Sequence, residues 1–352
     1  GADPKENFKD YVLGKYDGEP KTPEWAAERC GTPPSVIRSL AIEYATTKPT
    51  AVICGGSTTR IHRGSSTSQA FITLSAMTGN TGLPGGGVGL SCHNRAGNAG
   101  PPLVRFGVEG DPQQGRISYQ DFKARGAYQV PRSPDDNFGF TDFEDYRADP
   151  EAFPRETPSG KIEIHCQPYA DKVEGYGFTP KSPIATWDRI EEGIEDTYDS
   201  WESKVKGEYP LQLYTIHYKR RSHSILDNVP WLREFFPQEF IMSPLDAEER
   251  GLANGDTVQV TSRHGTVIRP LQVTARMMPG VTTLGEGAWV EIDEESGIDK
   301  AGATNILNGP IATDQGNLGF NSCNVQVEKY DGSIKLEPDH EWPQRIVFEE
   351  EA

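Results

Sequence analysis

The sequence predicts an α/β segment of nucleotide-binding type followed by a C-terminal β domain. Two patterns carry this expectation. A short apolar run, a glycine turn and an apolar-faced helix succeed one another between Ala51 and Asn80. In such a unit the turn brings backbone N–H groups near a phosphate, whose charge the helix start favours. From Leu211 to Glu328, five strand-like runs are divided by turn signals such as Asn254-Gly255-Asp256 and His264-Gly265, the rhythm of a compact β domain. The expected units are residues 1–103, an α/β segment with a glycine-rich loop; 104–207, an irregular segment and linker; and 208–352, the β domain.

Composition bounds the reading. A chain of 352 residues, 35% hydrophobic and 25% charged, is long enough for two or three cores. Its formal net charge of −17 argues against nucleic acid or an anionic membrane surface as partner. The five cysteines, Cys30, Cys54, Cys92, Cys166 and Cys323, form no CxxC pair. No iron–sulfur or zinc site, and no other metal site, is readable from their spacing. They read as buried small hydrophobes. No run of apolar residues is long enough to span a membrane, and the polar start GADPKENFKDY is not a secretory signal.

In the first unit, Thr22 is an N-cap, Pro23 the first helical residue and Gly31 the stop of one helix. A second follows Thr32-Pro33-Pro34, with Val36, Ile37, Leu40, Ala41 and Tyr44 at helical spacing, and ends at Lys48-Pro49. Ala51-Val52-Ile53-Cys54 reads as a short buried strand ending at Gly55-Gly56. A helix with Ala70, Phe71, Leu74 and Met77 on one face then runs to Gly79-Asn80. The turn GGSTTR alone is a weak signal, since most glycine turns bind nothing. Six glycines between Gly79 and Gly89 exclude a helix or strand interior there. That stretch is either a flexible linker or a backbone laid along a ligand.

In the middle unit, Ser133 to Phe153 reads as a surface excursion, Thr157–His165 as a turn into an alternating strand, and Glu191–Lys206 as an exposed acidic linker. The β domain has strand candidates at Leu211–Thr215, Thr257–Ser262, Val267–Ala275, Gly280–Leu284 and Asn324–Glu328. One helix, Pro244–Arg250, lies between Ser243 and Gly251. Strand count alone allows any small barrel.

The densest chemistry follows the first of these strands. His217, Lys219, Arg220, Arg221, His223 and Ser224 are six donor-rich side chains in eight residues. They suit an anionic, polar ligand; a solvated basic loop is the alternative. Downstream come Met277-Met278-Pro279-Gly280, Leu284-Gly285-Glu286-Gly287-Ala288-Trp289, Asn305-Ile306-Leu307 and Gly316-Asn317. This ordered set resembles the C-terminal, cofactor-capping domain of the molybdopterin oxidoreductases of the dimethyl sulfoxide reductase family, especially their catalytic A subunits. The runs TGN-x-G-x-PGG from Thr78 and TPSGKIEI from Thr157 also occur in that family.

The resemblance implies a six-stranded double-psi β-barrel and a bis-molybdopterin guanine dinucleotide carrying molybdenum or tungsten. His217, Arg221, His223 and Ser224 match the family's His-x-x-x-Arg-x-His-Ser loop, expected at the pterins. Glu286 and Trp289 belong to its GEGAW segment, although Trp289 fits a core position equally well. Asn305 matches an N-x-L element, Asn308 stands where Thr is common, and Gly316 and Asn317 match a late GN element. Asn321 and Gln326 are weaker candidates. Such amides can read a guanine or pterin edge. Gly79, Asn80, Gly85 and Gly86 match the loop along the dinucleotide. Arg60 and Gly64 match Q-R-H-x-x-G-E, but Ile61, Ser65 and Gln69 replace a histidine, a glutamate and a downstream arginine. His62 stands one place late.

No catalytic residue follows. The family's iron–sulfur domain and the segment that supplies the side-chain ligand to molybdenum have no counterpart here, and the run from Gly100 to Ser118 is much shorter than in the family. The expectation is part of an oxidoreductase catalytic subunit acting on an S-oxide, N-oxide or similar small molecule. The iron–sulfur cluster would belong to a missing N-terminal part. An iron–sulfur electron-transfer subunit and a membrane anchor would be partners in a periplasmic or other extracytoplasmic complex, with a cytoplasmic one left open. The alternative is a non-catalytic cofactor-binding or assembly module from the same family. A hydrolase built on His223-Ser224 is disfavoured, because no GxSxG elbow exists.

Overall fold

A closed six-stranded β-barrel forms the C-terminal half of the chain, and an α/β segment packs against it. The computed structural model describes residues 7–89, 104–105, 117–128 and 141–336. The first segment holds α1 (Phe8–Val12), α2 (Pro23–Cys30), α3 (Pro34–Thr46), β1 (Ala51–Ile53), α4 (Ser65–Met77) and β2 (Gly87–Gly89). As the cap signals predict, Thr22 Oγ1 accepts from Trp25 N at 3.2 Å and Gly31 ends α2 in the left-handed region.

Three expectations for this segment need correction. Gly87–Gly89 is a strand, paired in parallel with β1, so the end of the glycine-rich run is not loop. β1 itself is not buried: Ile53 is 67% exposed. The apolar faces of α3 and α4 are covered only in part: Leu40 and Met77 are each 63% exposed, while Tyr44 is buried. α4 instead buries Thr73 and Ser75. Their hydroxyls are satisfied by Gln69 O at 2.8 Å and Thr81 Oγ1 at 2.9 Å, which makes a polar inward face tolerable.

The middle unit carries β3 (Val104–Arg105), β4 (Ile117–Ser118), α5 (Tyr119–Arg125), α6 (Glu144–Ala148), α7 (Gln167–Gly175), β5 (Tyr198–Ser200) and β6 (Val205–Lys206). The excursion expected over Ser133–Phe153 and the shortened run at Gly100–Ser118 lie partly outside the described residues. The turn at Thr157–Gly160 forms, with Gly160 N donating to Thr157 O at 2.9 Å, but no strand follows it. Nor is Glu191–Lys206 an exposed linker. Glu192 is buried, its carboxylate reaching His264 Nε2 at 2.7 Å and accepting from Asn324 N at 3.2 Å.

The barrel strands are β7 (Leu211–Ile216), β8 (Phe240–Met242), β9 (Thr257–Thr261), β10 (Thr266–Val273), β11 (Val281–Gly285) and β12 (Asn324–Lys329), with α8 (Pro230–Phe235), α9 (Pro244–Glu249) and α10 (Thr304–Leu307) between them. Around the barrel the order is β10-β8-β11-β7-β12-β9. Two neighbouring pairs, β7 with β11 and β8 with β10, are parallel. Closure leaves no free sheet edge. Leu211 and Leu213, Val258 and Val260, and Val325 and Val327 alternate inward around Phe240, Met242, Leu271 and Leu284. Each such side chain contributes about 1.5–3 kcal/mol of transfer free energy, so this core anchors the loops at the strand ends.

Candidate cofactor site

A cavity of about 510 Å³ opens where the α/β segment meets the barrel domain. One wall is the turn after β1, with Gly55, Gly56, Thr59 and Arg60; α4 adds Ser68, Gln69 and Ile72; the far wall is the loop Thr313–Asn317. A Cβ on Gly56 would meet nothing within 4 Å, so the turn leaves the space in front of it open. Gln69 donates through Nε2 to Pro183 O at 2.7 Å, while its Oε1 is buried with no partner. A buried, unpaired acceptor is costly, and here it lines a cavity in which a ligand N–H can satisfy it. Asp314 accepts from Ser65 N at 3.2 Å and from the Ser65 hydroxyl. A cation, an orphan acceptor, an open glycine turn and the Asn317 and Gln315 amides fit a ligand with phosphates and a hydrogen-bonding heterocycle.

Asn321 joins the two walls. Its N–H donates to Arg60 O at 3.0 Å, its Nδ2 to Ser57 O at 3.3 Å, and its Oδ1 accepts from Thr215 N at 3.2 Å. With one bond to backbone at each of its amide atoms, Asn321 ties the barrel to the turn that carries Arg60.

The loop after β7 sits apart from this cavity. Its residues divide into two kinds. Arg221 is buried and bonds Asp227 Oδ1 at 2.7 Å, Gln238 Oε1 at 2.5 Å and Glu286 O at 2.6 Å. Asp227 also accepts from Arg220 at 3.0 Å and from Trp289 N at 3.0 Å. Burial opposes ionisation of the Asp227 carboxyl, but the Trp289 N–H and the two guanidiniums outweigh it and hold its pKa below the usual range. Burial also pulls Arg221 below its ordinary value against the attraction of Asp227, yet an arginine stays charged in either case. Arg221 therefore ties this loop to the Gly285–Glu286 backbone. His217 and His223, by contrast, are exposed, and both face Glu286. Ser224 is exposed; its carbonyl accepts from Trp289 Nε1 at 2.8 Å, which places Trp289 on the surface of this loop and not in the core.

The remaining sequence candidates scatter. Asn80 is buried, with Oδ1 accepting from Thr50 N at 3.0 Å. Gly79, Gly85 and Gly86 lie in a turn closed on itself by Gly86 N to Leu83 O at 2.8 Å, outside the cavity lining. Asn305 is exposed on α10, while Asn308 keeps both amide atoms buried and unpaired. Gly316 is the left-handed residue of the loop that presents Asn317. Gln326 lines a different cleft, between α2 and the barrel. His62 Nδ1 accepts from Glu191 N at 2.9 Å. Sequence reading underrated Gly55, Gly56 and Gln69. The only available signal was their place after a predicted strand and on the following helix.

The molydopterin dinucleotide binding domain model matches residues 211–323, which span most of the barrel and the cavity wall Thr313–Asn317. The dimethyl sulfoxide reductase DmsA of Escherichia coli K12 is 37% identical over 223 residues, 60% of this chain and 25% of that protein. The chain is homologous to the dimethyl sulfoxide and trimethylamine N-oxide reductases. The probable dimethyl sulfoxide reductase chain YnfF of Escherichia coli K12 is 35% identical over 214 residues, 60% of this chain and 26% of that protein. A dimethyl sulfoxide/trimethylamine N-oxide reductase of Cereibacter sphaeroides aligns with 93% of this chain and 60% of its own length, at 24% identity. The chain thus spans about a quarter of the first two relatives. The solved acetylene hydratase of Pelobacter acetylenicus covers 61% of this chain at TM-score 0.39 and 21% identity. Among the described residues, no helix is long and apolar enough to cross a membrane.

Proposed function

We propose that this chain is part of the catalytic subunit of a molybdenum or tungsten oxidoreductase that holds a bis-molybdopterin guanine dinucleotide and reduces a small S- or N-oxide. The observation that carries it is the shared cavity. The segment matched to the dinucleotide-binding domain supplies one wall, and the Gly55–Arg60 turn supplies the other. Arg60 would neutralise phosphate charge, Gly56 would leave room for the diphosphate, and Gln69 Oε1 and Asn317 would pair with a heterocycle edge. His217 and His223 would meet a polar pterin from the barrel loop. When bound, the cofactor supplies the two-electron, oxygen-transfer chemistry; the chain's residues bind, orient and balance charge. In the intact complex an iron–sulfur subunit and a membrane anchor would deliver electrons on the extracytoplasmic side, with the chain's own iron–sulfur cluster in polypeptide beyond these residues.

The test is the pterin and metal content of the purified protein, with Arg60→Ala beside it. Bound pterin with molybdenum or tungsten, reduced in the variant, is the expected result. A folded wild-type protein without pterin sinks the reading. Retained cofactor with no turnover of dimethyl sulfoxide or trimethylamine N-oxide by a reduced dye would favour a cofactor-binding or assembly module.

A further inference from the structure

A second cavity, of about 340 Å³, opens on the other face of α4, between α1, α2 and residues 185–190. Ser66, Thr67 and Ala70 of α4 line it, whereas Ser68, Gln69 and Ile72 line the cofactor cavity, and the two linings share no residue. Aromatic rings form one corner. Trp25 and Trp187 stand perpendicular with ring centroids 5.8 Å apart. The Tyr11 hydroxyl fixes that corner by accepting from Trp187 N at 2.7 Å. Such a corner offers a flat apolar molecule both a ring face and a ring edge.

Three donors of the lining are unspent. Trp25 Nε1 and Arg63 Nε are buried with no hydrogen-bond partner. The Ser66 hydroxyl accepts from Lys181 Nζ at 2.6 Å, which leaves its own proton free for an acceptor. Buried donors left unpaired are costly, and an acceptor oxygen entering the cavity can satisfy them. Arg63 also holds φ at 56°, a left-handed conformation that residues with a side chain rarely adopt. Backbone strain of this kind clusters at binding sites.

Charge narrows the ligand further. The Arg63 guanidinium faces Asp188 at 3.0 Å, and Lys21 faces Asp17 at 2.5 Å. The ionised groups of the lining are already balanced, so a charged ligand would lose its hydration without gaining a partner.

We propose that this cavity binds an uncharged aromatic molecule that carries an acceptor oxygen, such as an aryl ketone. The corner takes the apolar body, and the oxygen accepts from Trp25 Nε1, Arg63 Nε or the Ser66 hydroxyl. This site does not depend on the pterin reading, because α4 separates the two cavities and a chain without pterin keeps this one.

The full chain is titrated with benzophenone, with binding followed by tryptophan fluorescence. Irradiation then inserts the bound ketone into nearby C–H bonds, and peptide mass spectrometry maps the adduct. Saturable binding is expected, with adducts confined to the peptides that hold Trp25, Ser66–Ala70 or Ala185–Ile190. Diphenylmethane, which has the same rings without the oxygen, should bind roughly tenfold more weakly. Trp25→Phe keeps a ring and removes one donor, so it weakens benzophenone and leaves diphenylmethane unchanged. Ala70→Phe, at an exposed position of α4, fills the cavity and abolishes labelling while the circular dichroism stays that of wild type. A wild-type chain without saturable binding, adducts that map elsewhere, or equal affinity for the two probes overturns the proposal. Pterin content, measured in parallel, reports separately on the cofactor reading.

Discussion

The backbone N–H of Asn321, in the barrel, donates to the carbonyl of Arg60, in the α/β segment, at 3.0 Å. The cation lining the cavity is therefore held in place by the opposite wall. The Asn321 side chain reinforces this through Thr215 N and Ser57 O.

Asn321→Ala removes both side-chain bonds and leaves the Thr215 N–H without its acceptor. Leaving such a group unpaired costs about 1–3 kcal/mol. Urea unfolding of the variant against wild type reads this directly, and a change within about 0.5 kcal/mol would mean that the joint is slack.

Gly56→Leu separates cavity from scaffold. Gly56 does not have a positive φ, and its Cβ direction is open. The side chain would enter the cavity with a stability change within about 0.5 kcal/mol. Pterin content should fall sharply; full retention of pterin by a folded variant would place the cofactor elsewhere.

Asp227 is the acceptor for Arg220, Arg221 and the Trp289 N–H. Asp227→Ala strands two buried guanidiniums, at a cost of about 3–5 kcal/mol. The carboxyl also sets an acid limit. Its folded pKa is depressed, so its stabilisation is fully present above the unfolded value of about 3.9 and is lost as pH falls through the lower folded value. Denaturant midpoints measured from pH 6 downward should drop more steeply for wild type than for Asp227→Asn.

Cysteine labelling checks the barrel core. Burial, aided by the negative Glu192, pushes the Cys323 thiol far up, and its Sγ lies 3.3 Å from Leu307 O. The thiolate is the reactive form. Alkylation followed by mass spectrometry should modify the exposed Cys30 before the buried Cys54 and leave Cys323 unmodified until the chain unfolds.

Local pattern in the sequence determined five of the barrel's strands and the helix caps, while the closed six-stranded barrel was what the family resemblance implied. Leu211, Leu213 and Thr215 alternate over a few residues, and all three are buried. Ser243 before Pro244 accepts from Asp246 N at 3.1 Å, as a cap should. These are short-range effects, set by side-chain periodicity and by the backbone groups that a helix end leaves unpaired. The ordered motif set likewise pointed to the family, because residue order survives without coordinates. Partner identity did not. β8 is only Phe240–Met242, too short to show a period, and exists because β10 and β11 pair with it. Nothing in the sequence of the loop after β7 separates Arg221, locked on Asp227, from His217 and His223, which turn to Glu286 just past the end of β11. The exposed Leu40 of α3 and Met77 of α4 and the inward Thr73 were equally settled by what packs beside them. Burial and charge pairing depend on distant residues brought together by folding, so tertiary structure alone decided which donors are buried and paired and which stay exposed.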